Sequence, residues 1–267
     1  MTSAVGRPSL ARESDDRVGA VTGAVTGAAG RVLAAEVAWL RERRPGAAPT
    51  VLDVGGGSGA WAVPLARLGC AVTVVDSSPN ALAALERRAR EAGVHDLVTP
   101  QQGDVDALSE AAPPGAADLV LGHGLLEIVD DPVRAVAALA AAAAPGAAVS
   151  VLVAGRFAAV LSRTLAGRLV EARAVLTDPD GRFGPDDALR RRLDVGSLTA
   201  LLQGAGLGIE VLQGDGVVEG WVPGAVRDGG PTATRAVAEL EELAGHAAAL
   251  RDVAARLHAL ARRARTA

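Results

Sequence analysis

The segment that most constrains the fold of this chain is residues 51–59, where Val-Leu-Asp-Val is followed by Gly-Gly-Gly-Ser-Gly. The first half is typical of a buried strand, and the second half is a loop almost without side chains. A ligand can therefore lie directly against the loop backbone, with the N-terminal amides of the following helix pointing at it. Nucleotide-binding folds of several kinds use this device, and residues 55–60 also fit the dinucleotide fingerprint. The glycines alone do not identify the ligand.

Strand and helix patterns alternate over the first 154 residues. Strands are predicted at residues 50–54, 71–75, 97–100, 118–121 and 148–154. Helices are predicted at residues 18–44, through residue 68 after the glycine loop, at 79–92, and at 132–144, where Pro145 and Gly146 end the helix. This alternation predicts an α/β fold, a Rossmann-like, doubly wound, mostly parallel sheet that binds its ligand at the carboxyl ends of the strands.

The last third of the chain has a different pattern. Helices are predicted at residues 157–174, 194–205 and 232–257, a strand at 207–212, and irregular structure at 214–231. The ending, residues 256–262, is ambiguous between helix and strand.

Two acidic residues discriminate between cofactors. Asp53 lies two residues before the first glycine, where a carboxylate repels a pyrophosphate but suits a ligand carrying an ammonium and a sulfonium. Asp76 ends the second strand, where a carboxylate can accept both ribose hydroxyls. Asp76 fits NAD and S-adenosylmethionine equally, whereas Asp53 favours S-adenosylmethionine; the alternative for Asp53 is a cap at the strand end. The predicted cofactor contacts here are Asp53, Gly55, Gly56, Gly57, Asp76 and Ser77.

Two further loops follow predicted strands. Asp104, after the third strand, is placed to accept the exocyclic amine of adenine beside the amide of Val105; alternatively, Asp104 caps its own turn. His123 follows the fourth strand between two glycines, so it faces the ligand crevice. We predict that His123 contacts the methionine end of the cofactor or acts as a base near the methyl group. A bond from His123 to the loop backbone is the alternative.

Composition restricts the function classes. The net charge of −4 argues against a broad basic face for nucleic acid, although residues 190–192 are three adjacent arginines and form a candidate local basic patch. The single cysteine, Cys70, fits a reducing compartment, so a cytoplasmic protein is expected. No apolar run predicts a membrane span, and no His/Cys/Asp spacing predicts a metal site. The chain has no tyrosine, which argues against the Tyr–Lys proton donor of an NAD-linked oxidoreductase.

The glycine loop, Asp76, Asp104 and residues 118–123 together resemble the class I S-adenosylmethionine-dependent methyltransferases. Within that superfamily, residues 123–132, His-Gly-Leu-Leu-Glu-Ile-Val-Asp-Asp-Pro, resemble the bacterial tRNA methyltransferases that esterify 5-carboxymethoxyuridine at the wobble position. The resemblance runs from about Gly23 to the end of the chain. It implies a seven-stranded sheet with an antiparallel C-terminal strand.

The same resemblance implies site residues and reveals departures. Arg31 would hold the cofactor carboxylate, and His123 would contact the cofactor. At the substrate end, Val218 stands where the family has an arginine, and residues 177–181 replace an expected basic run with Thr-Asp-Pro-Asp-Gly. With an acidic chain and few aromatic side chains to stack bases, a small-molecule acceptor is favoured over tRNA.

The sequence thus predicts a mobile arm at residues 1–17 and one methyltransferase domain at 18–267, with a cofactor-binding core at 50–154 and an acceptor-side insertion at about 155–195. Methyl transfer by in-line attack on the sulfonium methyl needs no base for a carboxylate or tertiary amine, whereas a hydroxyl acceptor would use His123. The alternatives are tRNA modification, an NAD-linked oxidoreductase and a non-catalytic cofactor-binding protein. The oligomeric state stays open.

Overall fold

A computed structural model describes residues 27–227 and 229–265. The predicted arm at 1–17 and the predicted helical residues 18–26 lie outside the described residues. The strands are β1 (Thr50–Val54), β2 (Ala71–Asp76), β3 (Val98–Gln102), β4 (Ala117–His123), β5 (Ala143–Ala154), β6 (Leu207–Asp215) and β7 (Arg256–Arg263). The helices are α1 (Ala28–Arg43), α2 (Ala62–Arg67), α3 (Pro79–Glu91), α4 (Leu108–Ala111), α5 (Pro132–Ala142), α6 (Arg156–Leu165), α7 (Leu169–Thr177), α8 (Val195–Gly204), α9 (Gly224–Arg227), α10 (Pro231–His246) and α11 (Ala248–Arg251). Short 3-10 turns cover His95–Leu97 and Val105–Ala107.

The seven strands form one sheet in the order β3-β2-β1-β4-β5-β7-β6. The first five are parallel, and β7 runs antiparallel to both of its neighbours, β5 and β6. The Rossmann-like, mostly parallel sheet with an antiparallel C-terminal strand is therefore confirmed. The carboxyl ends of β1, β2 and β4 lie side by side at one edge, where β6 also ends and β7 begins.

Both faces of the sheet are buried, which is why its central strands read as continuous apolar runs. Along β4, Leu119 and Leu121 pack against the apolar cluster that includes α1, α2 and α3, whereas Val120 packs against the cluster that includes α5 and α8. This alternation follows from the two-residue period of a strand. No helix among the described residues is long and apolar enough to cross a membrane.

The predicted helix at 132–144 is wrong at its C-terminal end. The helix ends at Ala142, Ala143 is already extended, and both Pro145 and Gly146 lie within β5. Pairing of Ala143 with Ala117 draws these residues into the sheet, and the register shift that follows accommodates a proline and a glycine at positive φ. Tertiary pairing here overrides the helix propensity of alanine.

The other differences between the predicted and the observed elements lie in the last third of the chain. The single helix predicted at 157–174 is two helices, α6 and α7, separated at Gly167, which has a φ of 73°. The predicted irregular stretch contains the end of β6 and the short helix α9. The segment that was ambiguous between helix and strand is β7, as the family resemblance implied.

The predicted insertion leaves the sheet and returns to it at one point. The Arg156 amide donates to the Leu193 carbonyl (2.9 Å), and the Leu193 amide donates to the Ala154 carbonyl (3.1 Å). Helices α6 and α7 lie between these two crossing points. The insertion thus begins where β5 ends, at the edge that carries the glycine loop.

Candidate active site

The glycine loop turns directly over the end of β1. The Gly55 amide donates to the Val75 carbonyl of β2 at 2.7 Å, which ties the loop to the neighbouring strand. A Cβ atom on Gly56 would lie 2.5 Å from the carboxyl carbon of Asp53 and 2.9 Å from a methyl group of Val74. Gly56 is therefore required because the backbone passes immediately above the Asp53 side chain.

Asp53 is 1% exposed, and neither of its carboxylate oxygens has a hydrogen-bond partner among the described residues. Burial, with the nearby charge of Asp76 as a smaller cause, raises the pKa of Asp53 to about 7. A strand-end cap would accept backbone amides, so the geometry does not support that alternative. A buried carboxylate without a partner is costly, and a cationic ligand in the loop would offset this cost.

Asp76 ends β2 and faces the same loop. Its two oxygens accept from the amides of Gly57 (2.9 Å) and Ser78 (2.8 Å), which pins the carboxylate at the sheet edge. Ser77 is exposed beside it, and Ser78 caps α3 by accepting from the Ala81 amide. Asp53, Asp76 and the loop glycines are thus brought together as predicted from the sequence.

The end of β3 supplies the next predicted pair. Asp104 is exposed, and its Oδ1 accepts from the Asp106 amide at 3.0 Å, so the turn-capping alternative is realised. Val105 is buried beneath the turn. Capping engages one oxygen of Asp104, and a contact with adenine remains a prediction.

His123 is the last residue of β4 and is 9% exposed. Its Nε2 lies 2.8 Å from the Ser150 hydroxyl, and its ring centroid lies 4.5 Å from that of Trp61 in an edge-to-face arrangement. The predicted alternative, a bond to loop backbone, is not what the described residues show. Its Nδ1 is buried without a partner among them. Burial, followed by the charges of His258 and Arg256, lowers the pKa of His123 well below its usual value.

A buried network that the sequence did not predict lies behind His123. The Ser150 hydroxyl lies 2.9 Å from Nε2 of His258, and Nδ1 of His258 lies 3.1 Å from Nε2 of Gln213. Burial lowers the pKa of His258 to about 4, although the charge of Asp215 opposes this shift. His258 is fully buried, so it is part of the interior rather than a surface histidine.

Glu127 is a second buried acid that sequence reasoning missed. It is 9% exposed; its Oε1 accepts from the Ala154 amide at 3.2 Å, and its Oε2 has no partner among the described residues. Burial raises the pKa of this carboxyl group. The available signal was its position in the loop after β4. Asp53 and His123, near the carboxyl ends of the adjacent strands β1 and β4, and Glu127 in the loop after β4 thus each have a polar atom without a partner among the described residues.

Arg31 lies in the first turn of α1, and its Nε is 3.9 Å from the Glu242 carboxylate of α10. The start of α1 is fixed near the carboxyl edge, because the Ala29 amide donates to Asp215 at 3.1 Å. Arg31 therefore belongs to the same side of the sheet as the glycine loop. Its contact with a cofactor carboxylate remains a prediction.

The candidate basic patch at residues 190–192 is not formed. Arg191 is buried and donates to three carbonyl oxygens in the loop after β4, and Arg192 is buried against both carboxylate oxygens of Asp187. Arg190 is exposed but pairs with Asp130 at 2.8 Å. These arginines hold the insertion to the domain. No group of metal-ligating side chains was found in the part of the chain that the structure describes.

Comparison with known proteins identifies this core. Residues 51–146 match the family model described as a methyltransferase domain. Over these residues, the glycine loop and the strand ends that follow it, the chain is therefore similar to a methyltransferase domain. The ubiquinone biosynthesis O-methyltransferase of Albidiferax ferrireducens is 40% identical to this chain over 100 residues, which are 38% of this chain and 39% of the relative. The match thus spans about two fifths of that relative's length.

Solved structures share the fold over most of the chain. The magnesium protoporphyrin IX methyltransferase of Synechocystis PCC 6803, solved with bound S-adenosylhomocysteine, has a TM-score of 0.57 at 15% identity and covers 98% of this chain and 90% of its own. The [4+2]-cyclase SpnF has a TM-score of 0.54 at 20% identity and covers 89% of this chain and 83% of its own. The chain therefore shares its fold with a solved methyltransferase, and this fold also serves a protein named for another reaction.

Proposed function

We propose that this protein is an S-adenosylmethionine-dependent methyltransferase that acts on a small-molecule acceptor. The observation that carries the proposal is the unpartnered, buried carboxylate of Asp53 directly beneath Gly56 and next to Asp76. An ammonium group bound over the loop would supply the missing charge. A pyrophosphate would not, since Asp53 would repel it.

The proposed cofactor contacts follow the strand ends in order. Asp53 would balance the positive charge of the cofactor, the loop glycines would let it approach the backbone, and Asp76 with Ser77 would hold the ribose. Asp104 and Val105 would border adenine. Arg31, on α1, would hold the cofactor carboxylate, and His123 would border the methionine end.

The chain's own residues would then act mainly by positioning. S-adenosylmethionine, when bound, supplies a methyl group that is already activated on a sulfonium. The buried ring of His123 and the partly buried ring of Trp61 would exclude water from the end of β4, and the lowered pKa of His123 keeps its imidazole neutral. Glu127 presents an unpartnered oxygen at the same end and is the second group able to bind an acceptor or hold a proton.

A small-molecule acceptor is favoured by three observations. The matched relative is named an O-methyltransferase of ubiquinone biosynthesis. Of the three adjacent arginines that formed the candidate basic patch, two are buried within the protein and the third is paired with an aspartate, so they do not offer a surface to an RNA backbone. The insertion at about 155–195 starts beside the glycine loop, so we place the acceptor beneath it, within a single domain at 18–267. A free, buried Cys70 supports a cytoplasmic location.

Calorimetric titration with S-adenosylhomocysteine, with NADH alongside, tests the cofactor. We expect micromolar binding of S-adenosylhomocysteine, on the order of −8 kcal/mol, and none of NADH. Asp76→Ala is expected to weaken binding by about 100-fold, because two charge-assisted hydrogen bonds to the ribose are lost. The control is Asp96→Ala, which removes an exposed carboxylate that lies 3.2 Å from Nε2 of His95. Binding of NADH by the wild type would restore the oxidoreductase alternative, and no binding at all would overturn the proposal.

Turnover separates a methyltransferase from a binding protein or a cyclase. Incubation with methyl-labelled S-adenosylmethionine and a panel of phenols, carboxylic acids and amines should give a labelled product. Cofactor binding without turnover on any of these, together with strongly salt-dependent binding of tRNA, would favour the tRNA alternative. Cofactor binding without either result would favour a non-catalytic protein on this fold.

A further inference from the structure

The side chains behind His123 form a chain of hydrogen bonds whose direction is set at its far end. We propose that Gln213, acting through His258 and Ser150, holds His123 in its Nδ1–H tautomer, so that His123 offers a hydrogen-bond donor to the active site rather than a base. Only the active-site consequence rests on the proposed function. The tautomer itself is a property of the folded chain.

The sheet register explains why these residues meet. His123 pairs with Leu152 across β4 and β5, Leu152 pairs with His258, and His258 pairs with Gln213. Residues directly opposite each other in a sheet point to the same face, and Ser150 shares this face because it lies two residues before Leu152. Four strands therefore place four polar side chains in one buried row.

The donor and acceptor roles in this row of hydrogen bonds are set by Gln213, which is 2% exposed. Its amide nitrogen lies 3.1 Å from Nδ1 of His258. An amide NH2 group only donates, so Nδ1 of His258 accepts. Because a neutral imidazole carries one proton, that of His258 is on Nε2.

The proton on His258 in turn determines the donor and acceptor roles of Ser150 and His123. Nε2–H of His258 donates to the Ser150 oxygen at 2.9 Å. The single hydroxyl proton of Ser150 is then directed at Nε2 of His123, 2.8 Å away. Nε2 of His123 accepts a hydrogen bond from this hydroxyl, so the neutral ring carries its own proton on Nδ1. That atom is the one left buried without a partner among the described residues.

The position of the proton on the His123 ring determines what this side chain can do at the end of β4. A neutral imidazole whose protonated Nδ1 has no partner among the described residues can donate a hydrogen bond to an acceptor or cofactor oxygen at the end of β4, and it removes no proton there. If the Gln213 amide were turned by 180°, every bond in the row would reverse and Nδ1 would become a base. Gln213 is thus a positioning residue that decides between the two roles of His123.

Nitrogen NMR of protein labelled at histidine tests this directly, because the chain has only four histidines. Spectra at about pH 8.5, where the rings are neutral, give separate signals for protonated and unprotonated ring nitrogens. A His123→Asn variant assigns the pair of signals. We expect a protonated Nδ1 and an unprotonated Nε2 for His123 in the wild type.

Gln213→Glu should reverse the pattern, because a carboxylate only accepts and would draw the His258 proton to Nδ1. Gln203→Glu, at an exposed position on α8, is the matched control and should change nothing. In the Ser150→Ala background, Gln213→Glu should no longer affect His123. An unprotonated Nδ1 in the wild type, or a His123 pattern that Gln213→Glu leaves unchanged in folded protein, would overturn the proposal. No cofactor is needed, so failure of the proposed function would be seen separately, in the titrations.

Discussion

At the scale of single residues, Asp53 combines a cost to stability with a role in binding. Its carboxylate is buried without a partner among the described residues, whereas Asp118 in the adjacent strand, which is also buried, accepts from the amide and hydroxyl of Thr50 and pairs with Arg44. Stability alone would favour removing the Asp53 charge, because an unpaired buried carboxylate is costly. Groups that cost stability in this way are typical of functional sites. The contrast between the two aspartates can be measured.

We predict that Asp53→Asn stabilises the cofactor-free protein. The folded pKa of about 7 lies above the usual 3.8, so between these values the native state keeps a proton that the unfolded state loses. The cost of Asp53 therefore grows from about pH 4 to pH 7 and is then constant, at up to on the order of 4 kcal/mol. Urea unfolding at pH 5 and pH 8 should show the larger gain at pH 8. Asp118→Asn is the control and should destabilise the protein at both values; a loss of stability in Asp53→Asn would contradict this account.

Cofactor affinity should depend on the same titration. Because the ammonium group of S-adenosylhomocysteine would pair with the ionised form of Asp53, its affinity should fall as the pH is lowered below about 7, by up to tenfold per pH unit. Calorimetry between pH 5.5 and 8 in buffers of different ionisation enthalpy measures both the affinity and the proton released. Asp53→Asn should bind more weakly at pH 8 and lose this pH dependence. A wild type with pH-independent affinity would exclude Asp53 as the linked group.

At the scale of elements, the turn from β1 into α2 depends on close approach rather than on flexibility. We predict that Gly56→Ala displaces the loop from Asp53 and Val74, destabilising the protein by about 1–3 kcal/mol and weakening S-adenosylhomocysteine binding at least tenfold. Gly204→Ala is the control, since a Cβ atom there would meet nothing within 4 Å and α8 would gain roughly 0.5–1 kcal/mol. Thermal unfolding and calorimetry measure both effects. Equal behaviour of the two variants would contradict the steric argument.

Element boundaries could be predicted where the chain carries strong local signals. Thr50–Val54 is a strand as predicted, and α3 ends one residue before its predicted end, because glycine and a capping serine mark these limits. Alanine carries no such signal. At residues 143–147 the chain is a strand because it pairs with β4. No local sequence pattern encodes this pairing.

The candidate site likewise contains residues that the sequence could predict and residues that it could not. Acidic residues at strand ends could be placed in one crevice from topology alone, because parallel strands end at a common edge. The row of His123, Ser150, His258 and Gln213 could not be predicted in this way. Its directly hydrogen-bonded residues lie up to 108 positions apart, and the row depends on the order β4-β5-β7-β6 and on the register of each pair. Only the strand assignment of residues 256–262, implied by resemblance, pointed toward it.

At the scale of the whole molecule, the first described helix is joined to the last strand by an ion pair between a partly buried arginine and a buried glutamate. The two terminal guanidinium nitrogens of Arg262 on β7 donate to the carboxylate of Glu36 on α1, at 2.9 and 3.0 Å, and the same side chain also donates to Glu210 on β6. Glu36 is 6% exposed. Because Arg31 is carried by the same helix, this contact also fixes where that arginine lies.

We therefore predict that Arg262→Met destabilises the protein by about 3–5 kcal/mol, since it leaves the buried carboxylate of Glu36 without its partner. Arg235→Met, which removes an exposed pair with Glu239, should cost less than about 0.5 kcal/mol. Adding Glu36→Leu to Arg262→Met should recover most of the loss in urea unfolding, because the unpaired charge is then absent. If α1 positions Arg31, the double variant should still bind S-adenosylhomocysteine more weakly than the wild type. Restored stability with unchanged affinity would show that the ion pair serves folding alone.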